Sequence, residues 1–223
     1  MTLIIILFLV AIGATGFIIL RKRYTTSILS LNFTNEYRNS YVELANHFYK
    51  TYDRFERRGD VASEKYIWLT KNANKMQGML GLNGVIHYVA PFQKYSVPNY
   101  QVLINTLPKF RENFLHESEV NMVDDALLRY YGILEERVRV YQKQLRNPFL
   151  WFKQGFKELF SLPIYIINWF GIIPDRLVGK IISNSIFNVL TGIGGLVAFI
   201  SGLVTIIQGK EQTVRFIKDL FHK

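Results

Sequence analysis

The chain has 223 residues and a formal net charge of +10, with 49% hydrophobic and 20% charged residues. These values exclude a disordered tail, a collagen-like chain and a low-complexity chain. The absence of cysteine excludes disulfides, thiolate metal sites and cysteine nucleophiles. A mean hydropathy of +0.10 beside so high a charge requires apolar and basic residues to be segregated along the chain.

Thr2 to Leu20 carries no charge, and Arg21, Lys22 and Arg23 follow at once. About 20 apolar residues are enough to cross the hydrocarbon core, where the backbone must be helical to satisfy its own polar groups. A secretory signal would put its basic cluster before the apolar run and a small-residue cleavage site after it. The order here is the reverse, so residues 1–23 read as an uncleaved anchor. The Lys/Arg bias puts the N-terminus outside and the following domain in the cytoplasm.

Residues 24–146 read as the cytosolic domain. Phe33, Tyr37, Tyr41, Leu44, Phe48, Tyr52 and Phe55 recur at helical spacing. Thr34 or Asn35 is the expected cap of that helix, and Arg57-Arg58-Gly59 its expected end. Ala62, Tyr66, Leu69, Ala73, Met76 and Leu80 predict a second helix stopped by Gly81. Between Leu82 and Pro108 the period is lost. Loop and a short helix over Asn99–Leu107 are expected there, with no strand. Val123, Leu127, Tyr130, Leu134, Val138, Tyr141 and Leu145 predict the strongest helix, acidic in its first turns and basic in its last. The expected fold is all-α: a helical bundle between two membrane helices.

Residues 147–180 predict an amphipathic helix started by Asn147-Pro148. Phe149, Phe152, Phe156 and Phe160 lie on one face, and Lys153, Gln154, Lys157 and Glu158 on the other. Trp151, Phe152, Lys153, Phe156, Lys157 and Trp169 are its expected membrane-interface residues. Pro163 is expected to interrupt the helix, leaving Leu159–Ile173 as a re-entrant or interfacial stretch, with a short span as the alternative.

Residues 181–208 contain a second run long enough to cross. Asn184, Asn188, Thr191, Gly195, Ala198, Gly202 and Thr205 form a stripe spaced 4, 3, 4, 3, 4, 3, made only of small or polar side chains. Helices associate in lipid through such close-approach faces. The stripe serves either packing on the chain's own first span, at Gly13 and Gly16, or self-association that could line a pore. The tail, 209–223, is basic and amphipathic.

No chemistry emerges. Phosphate-loop, dinucleotide and nucleophile-elbow patterns are absent. His116 and Glu119 have ligand spacing, but the companions of a di-iron bundle are missing. They read as a solvated helix start, and no catalytic residue, cofactor or metal is expected. The charge excess is spread: +5 over residues 24–180, +3 at Arg21–Arg23 and +2 in the tail. It flanks the apolar runs, as anionic lipid explains, and does not point to nucleic acid. Arg54, Arg57 and Arg58 beside Tyr52 and Phe55 form the one weak basic-aromatic cluster.

In layout, with one span at 2–20, a helical domain at 24–146 and a glycine-rich span at 181–207, the chain resembles the small two-span effectors of bacterial anti-phage systems. These include membrane effectors of cyclic-oligonucleotide signalling systems and of retrons. The resemblance covers the whole chain, rests on no diagnostic motif and transfers no functional residue. It implies a non-enzymatic protein of the bacterial inner membrane that self-associates, permeabilises the membrane and is regulated by a partner of its cytosolic domain. The competing reading is a membrane-anchored adaptor that recruits a cytosolic partner.

Overall fold

The computed structural model describes residues 2–53, 55, 58–61, 63–89 and 96–208. The amphipathic tail expected at 209–223 lies outside them. The described chain is predominantly helical: α1 (Thr2–Lys50), α2 (Ser63–Leu80), α3 (Val102–Glu112), α4 (Glu117–Leu145), α5 (Pro148–Trp169), α6 (Asp175–Ser183) and α7 (Ser185–Gln208). It falls into two units. One holds the residues up to Thr25 and from Arg139 onward; the other is Thr26–Val138.

The expected anchor and first bundle helix are one helix. Residues 17–50 contain neither glycine nor proline, so nothing stops α1. Thr34 is no cap: it is fully buried, and its Oγ1 donates to Ser30 O one turn back at 2.8 Å. α1 ends at Lys50, short of Arg57–Gly59. The Thr51 hydroxyl donates to His47 O and accepts from Asp60 N at 3.0 Å, folding the chain back on itself. The turn brings Gly59 against Phe48, where a Cβ would lie 2.7 Å from the ring.

The core of the unit formed by Thr26–Val138 joins α1, α2, α3 and α4. Tyr37, Tyr41, Leu44 and Phe48 of α1 meet Leu69 and Met76 of α2, Leu103 and Phe110 of α3, and Val123, Leu127 and Leu134 of α4. Phe110 packs edge-on to both Tyr41 and Phe48. The Tyr37 hydroxyl donates to Leu69 O at 3.1 Å. Arg38 and Asp124 tie α1 to α4 through a forked pair, Nε–Oδ1 at 2.7 Å and Nη2–Oδ2 at 3.0 Å.

The stretch expected to be loop holds a 3₁₀ turn (Gly81–Gly84) and a hairpin of β1 (Val85–Val89) and β2 (Ser96–Gln101). The strands are antiparallel, with Val85 opposite Gln101 and Val89 opposite Ser96, and their register shifts between Ile86 and Tyr88. That irregularity, with Asn99 at φ 58°, breaks the alternation that would have marked strands in the sequence. Buried Gln77 holds the segment in place: its Nε2 donates to Gly84 O, and its Oε1 accepts from Leu103 N at the start of α3. α3 begins later than expected and passes through Pro108.

In the other unit α5 starts as expected, with Asn147 Oδ1 accepting from Phe149 N and Pro148 in the first turn. Pro163 does not end it; the helix continues to Trp169. Proline removes one N–H from the ladder, so the helix passes through with a single amide donor missing.

Adjacent leucines on α4 test this packing. Leu127 is fully buried and Leu128 is 49% exposed. Leu127→Ala should cost about 2–5 kcal/mol, and Leu128→Ala about 0.5 kcal/mol or less, read from the urea midpoint of the full chain in detergent.

Candidate functional site

The apolar unit is organised by glycines. A Cβ on Gly16 would collide with Trp151 O, and one on Gly155 with Ile12 O, so α1 and α5 touch backbone to backbone. In place of a side chain each glycine turns a Cα–H toward a carbonyl, a weak attraction that recurs where helices approach closely. Gly13 seats the Phe152 ring at 3.2 Å from its Cβ position, and Phe17 packs edge-on to Trp151. The Trp151 indole donates to Leu145 O at 3.2 Å. Arg23, from the basic cluster, reaches Gln154 at 3.3 Å and Glu158 at 3.9 Å. Arg21 and Lys22 are exposed.

The stripe on α7 faces into the same unit. Thr191, Gly195 and Gly202 are buried, and Asn188, Ala198 and Thr205 are half-buried. Gly195 lies against Phe156, Gly194 against Phe160, and Gly202 against Leu9. The phenylalanine face of α5, expected to rest on lipid, is thus partly turned onto α1 and α7, and Phe156 is only 4% exposed. Gly13 and Gly16 receive α5, while α7 meets α1 through Gly202 and Leu9. Asn184 sits at the α6–α7 junction, its Oδ1 accepting from Ile186 N. Asn188 Nδ2 donates to Ser183 O, and Thr191 Oγ1 to Phe187 O. The opposite face of α7, including Ile186, Val189, Leu190, Ile193, Val197 and Ile200, is exposed. Ser185–Gly202, with a mean hydropathy of 1.6, is long and apolar enough to cross a membrane. Lys153 and Trp169 are exposed, and Lys157 is half-buried.

The helical unit holds a polar centre that spacing alone did not reveal. Glu119 is 1% exposed, so the start of α4 is not solvated as expected. Its Oε1 accepts from the Tyr88 hydroxyl at 2.9 Å and pairs with Lys109 Nζ; its Oε2 accepts from His116 N at 3.3 Å. The last contact is half of a capping box: a glutamate three residues into the helix reaches back to the N–H before its first turn. The spacing of His116 and Glu119 was therefore a helix-start signal. What the sequence hid was that the hairpin covers it. Tyr88 stacks on Tyr100 with ring centroids 4.6 Å apart. Burial and the Glu119 hydrogen bond push the Tyr88 hydroxyl up from 10.0 to about 12. Burial pulls Lys109 down, but its hydrogen bond and attraction to Glu119 outweigh this and hold it above the ordinary lysine value. This arrangement neutralises a buried charge. Among the described residues, no group of three or more His, Asp or Glu is placed to hold a metal ion.

No family model, no curated protein and no solved structure matches the chain.

Two tests follow from these contacts. Gly16→Ala should destabilise the apolar unit by about 1–3 kcal/mol through forced separation of two backbones. Gly192→Ala, with open space around it, should not. Thermal unfolding in detergent compares them. Separately, a tyrosine whose pKa is raised on folding contributes stability below its unfolded value that is lost as the pH rises through its folded one. The urea midpoint should therefore fall between pH 10.0 and about 12, less steeply in Tyr88→Phe. Buried Tyr37 and Tyr41, also raised, keep part of the slope.

Proposed function

We propose that the protein is a non-enzymatic membrane effector. Its helical unit binds a regulatory partner, and its apolar helices, α1 and α7, cross a membrane and self-associate to permeabilise it. The N-terminus lies outside and the helical unit in the cytoplasm, by the bias of Arg21, Lys22 and Arg23. Anionic lipid is the surrounding solvent.

The observation that carries this reading is the cover on the small-residue face of α7. Phe156 and Phe160 fill it, and they belong to a helix that also carries Lys153, Gln154, Lys157 and Glu158. A helix with Lys153, Lys157 and Glu158 is one that the headgroup region can accept when it leaves. Displacing α5 exposes Thr191, Gly195 and Ala198 to a second copy of α7. The form described is the silent one.

The same cover supports a second reading. If α5 never leaves, the stripe is spent within the chain, the apolar unit is only a tether, and the protein is an adaptor that recruits a cytosolic partner.

Two substitutions separate the readings. Phe156→Ala weakens the cover, and should increase crosslinked oligomer and cause depolarisation on induced expression, read with a membrane-potential dye. Gly195→Leu in the same background should abolish both, because its bulk blocks the approach of another helix. If Phe156→Ala assembles no more than the parent and leaves the potential intact, the adaptor reading holds.

A further inference from the structure

The fold-back after α1 and the end of α3 enclose a cleft of about 540 Å³ in the helical unit, lined by Thr51, Arg58, Gly59, Asp60, Arg111 and Asn113, with Asp53 and Val61 beside them. That volume lies within the range of small-molecule sites. Its lining carries two arginines and two carboxylates, and each carboxylate has a partner of its own. Asp60 is engaged by His47 Nε2 at 3.2 Å, and Asp53 Oδ1 accepts from Phe55 N at 2.6 Å. Among the described residues neither Arg58 nor Arg111 is in an ion pair. Arg111 instead lies over the Tyr66 ring, 4.4 Å from its centroid, which holds the guanidinium in place without neutralising it.

The wall between the arginines is pre-formed. Asn113 closes α3 in the left-handed conformation at φ 55°, and its Oδ1 accepts from Gly59 N at 3.0 Å, joining the two sides of the cleft. Its Nδ2 has only a long 3.4 Å contact to Arg111 O and remains a donor for a ligand. Two guanidiniums and an amide, all donors, fit an anion with several oxygens, and arginine is the side chain suited to phosphate. The cleft, at about 540 Å³, is larger than one phosphate group.

We propose that this cleft binds a small organic phosphate, anchored through its phosphate group by Arg58 and Arg111. The binding stands by itself; its use as the signal that uncovers α7 rests on the effector reading above.

The full chain in detergent is titrated by calorimetry with adenosine monophosphate, inorganic phosphate and adenosine. The proposal expects saturable binding of the monophosphate, weaker binding of inorganic phosphate and none of adenosine. Arg58→Gln and Arg111→Gln should each weaken binding about tenfold or more, as expected for loss of a charge-assisted contact, while Arg129→Gln on α4 leaves it unchanged. Arg111 packs on Tyr66, so a folding defect there leaves the decision to Arg58, which lies in the exposed fold-back. The proposal is overturned if the monophosphate shows no saturation up to about 10 mM. Binding that survives Arg58→Gln at full strength also overturns it. Inorganic phosphate bound as tightly as the monophosphate reduces the cleft to a bare anion site and overturns the organic-ligand claim. Binding without any change in membrane potential leaves the cleft standing and removes only its link to the effector reading.

Discussion

The backbone contact between Gly16 and Gly155 sets the apolar unit. Between apolar helices, dispersion and weak polar contacts act only at close range. Two glycines facing each other give that range. Everything else in the unit is arranged around the position this fixes for α5. Phe152 falls into the notch at Gly13, Trp151 against Phe17, and Phe156 onto Gly195. Gly13 and Gly16 of α1 and Gly194 and Gly195 of α7 therefore serve a single central helix, while Gly202 meets Leu9 of α1.

The helical unit solves a different problem. Its apolar core is ordinary, but it buries Glu119, and an unpaired carboxylate at 1% exposure would be untenable. Lys109, Tyr88 and the His116 amide together satisfy it. Because Tyr88 stands on the hairpin, Lys109 on α3 and Glu119 on α4, one charge orients three elements. Gln77 does the same for α2, the 3₁₀ turn and α3 with a neutral amide. Both are polar side chains at sites where an apolar one would pack but not specify register.

The helical periods of α2 and of α4 as far as Leu134 were legible because each buries one face there in the core of the helical unit. The start of α5 was legible because Asn147-Pro148 acts locally. The continuity of α1 was not, since Thr34 looks like a cap until its neighbours show that it bonds backward within the helix. The hairpin was hidden by its own irregularity at Ile86–Tyr88. The stripe on α7 was visible as a packing face; its occupant was not, because the phenylalanines that fill it come from a helix whose charges suggested lipid. The cleft at Arg58 and Arg111 joins residues far apart in the chain, and only the Gly59–Asn113 hydrogen bond brings their segments together.

Pro163 has a consequence of another kind. Within α5 it has no N–H to offer the Leu159 carbonyl, so the ladder lacks a rung four residues before the proline. Backbone openings start where a ladder is incomplete, and the opening of a helix end proceeds inward until it meets tightly packed residues. On the C-terminal side of the gap are Ile166 and Trp169, both exposed; on the N-terminal side are Ser161 and Phe156, both buried. The proline thus divides α5 into a portion that frays readily and a portion that opens only with the unit. Solvent protection along this one helix should change within a single turn, although its geometry is uniform.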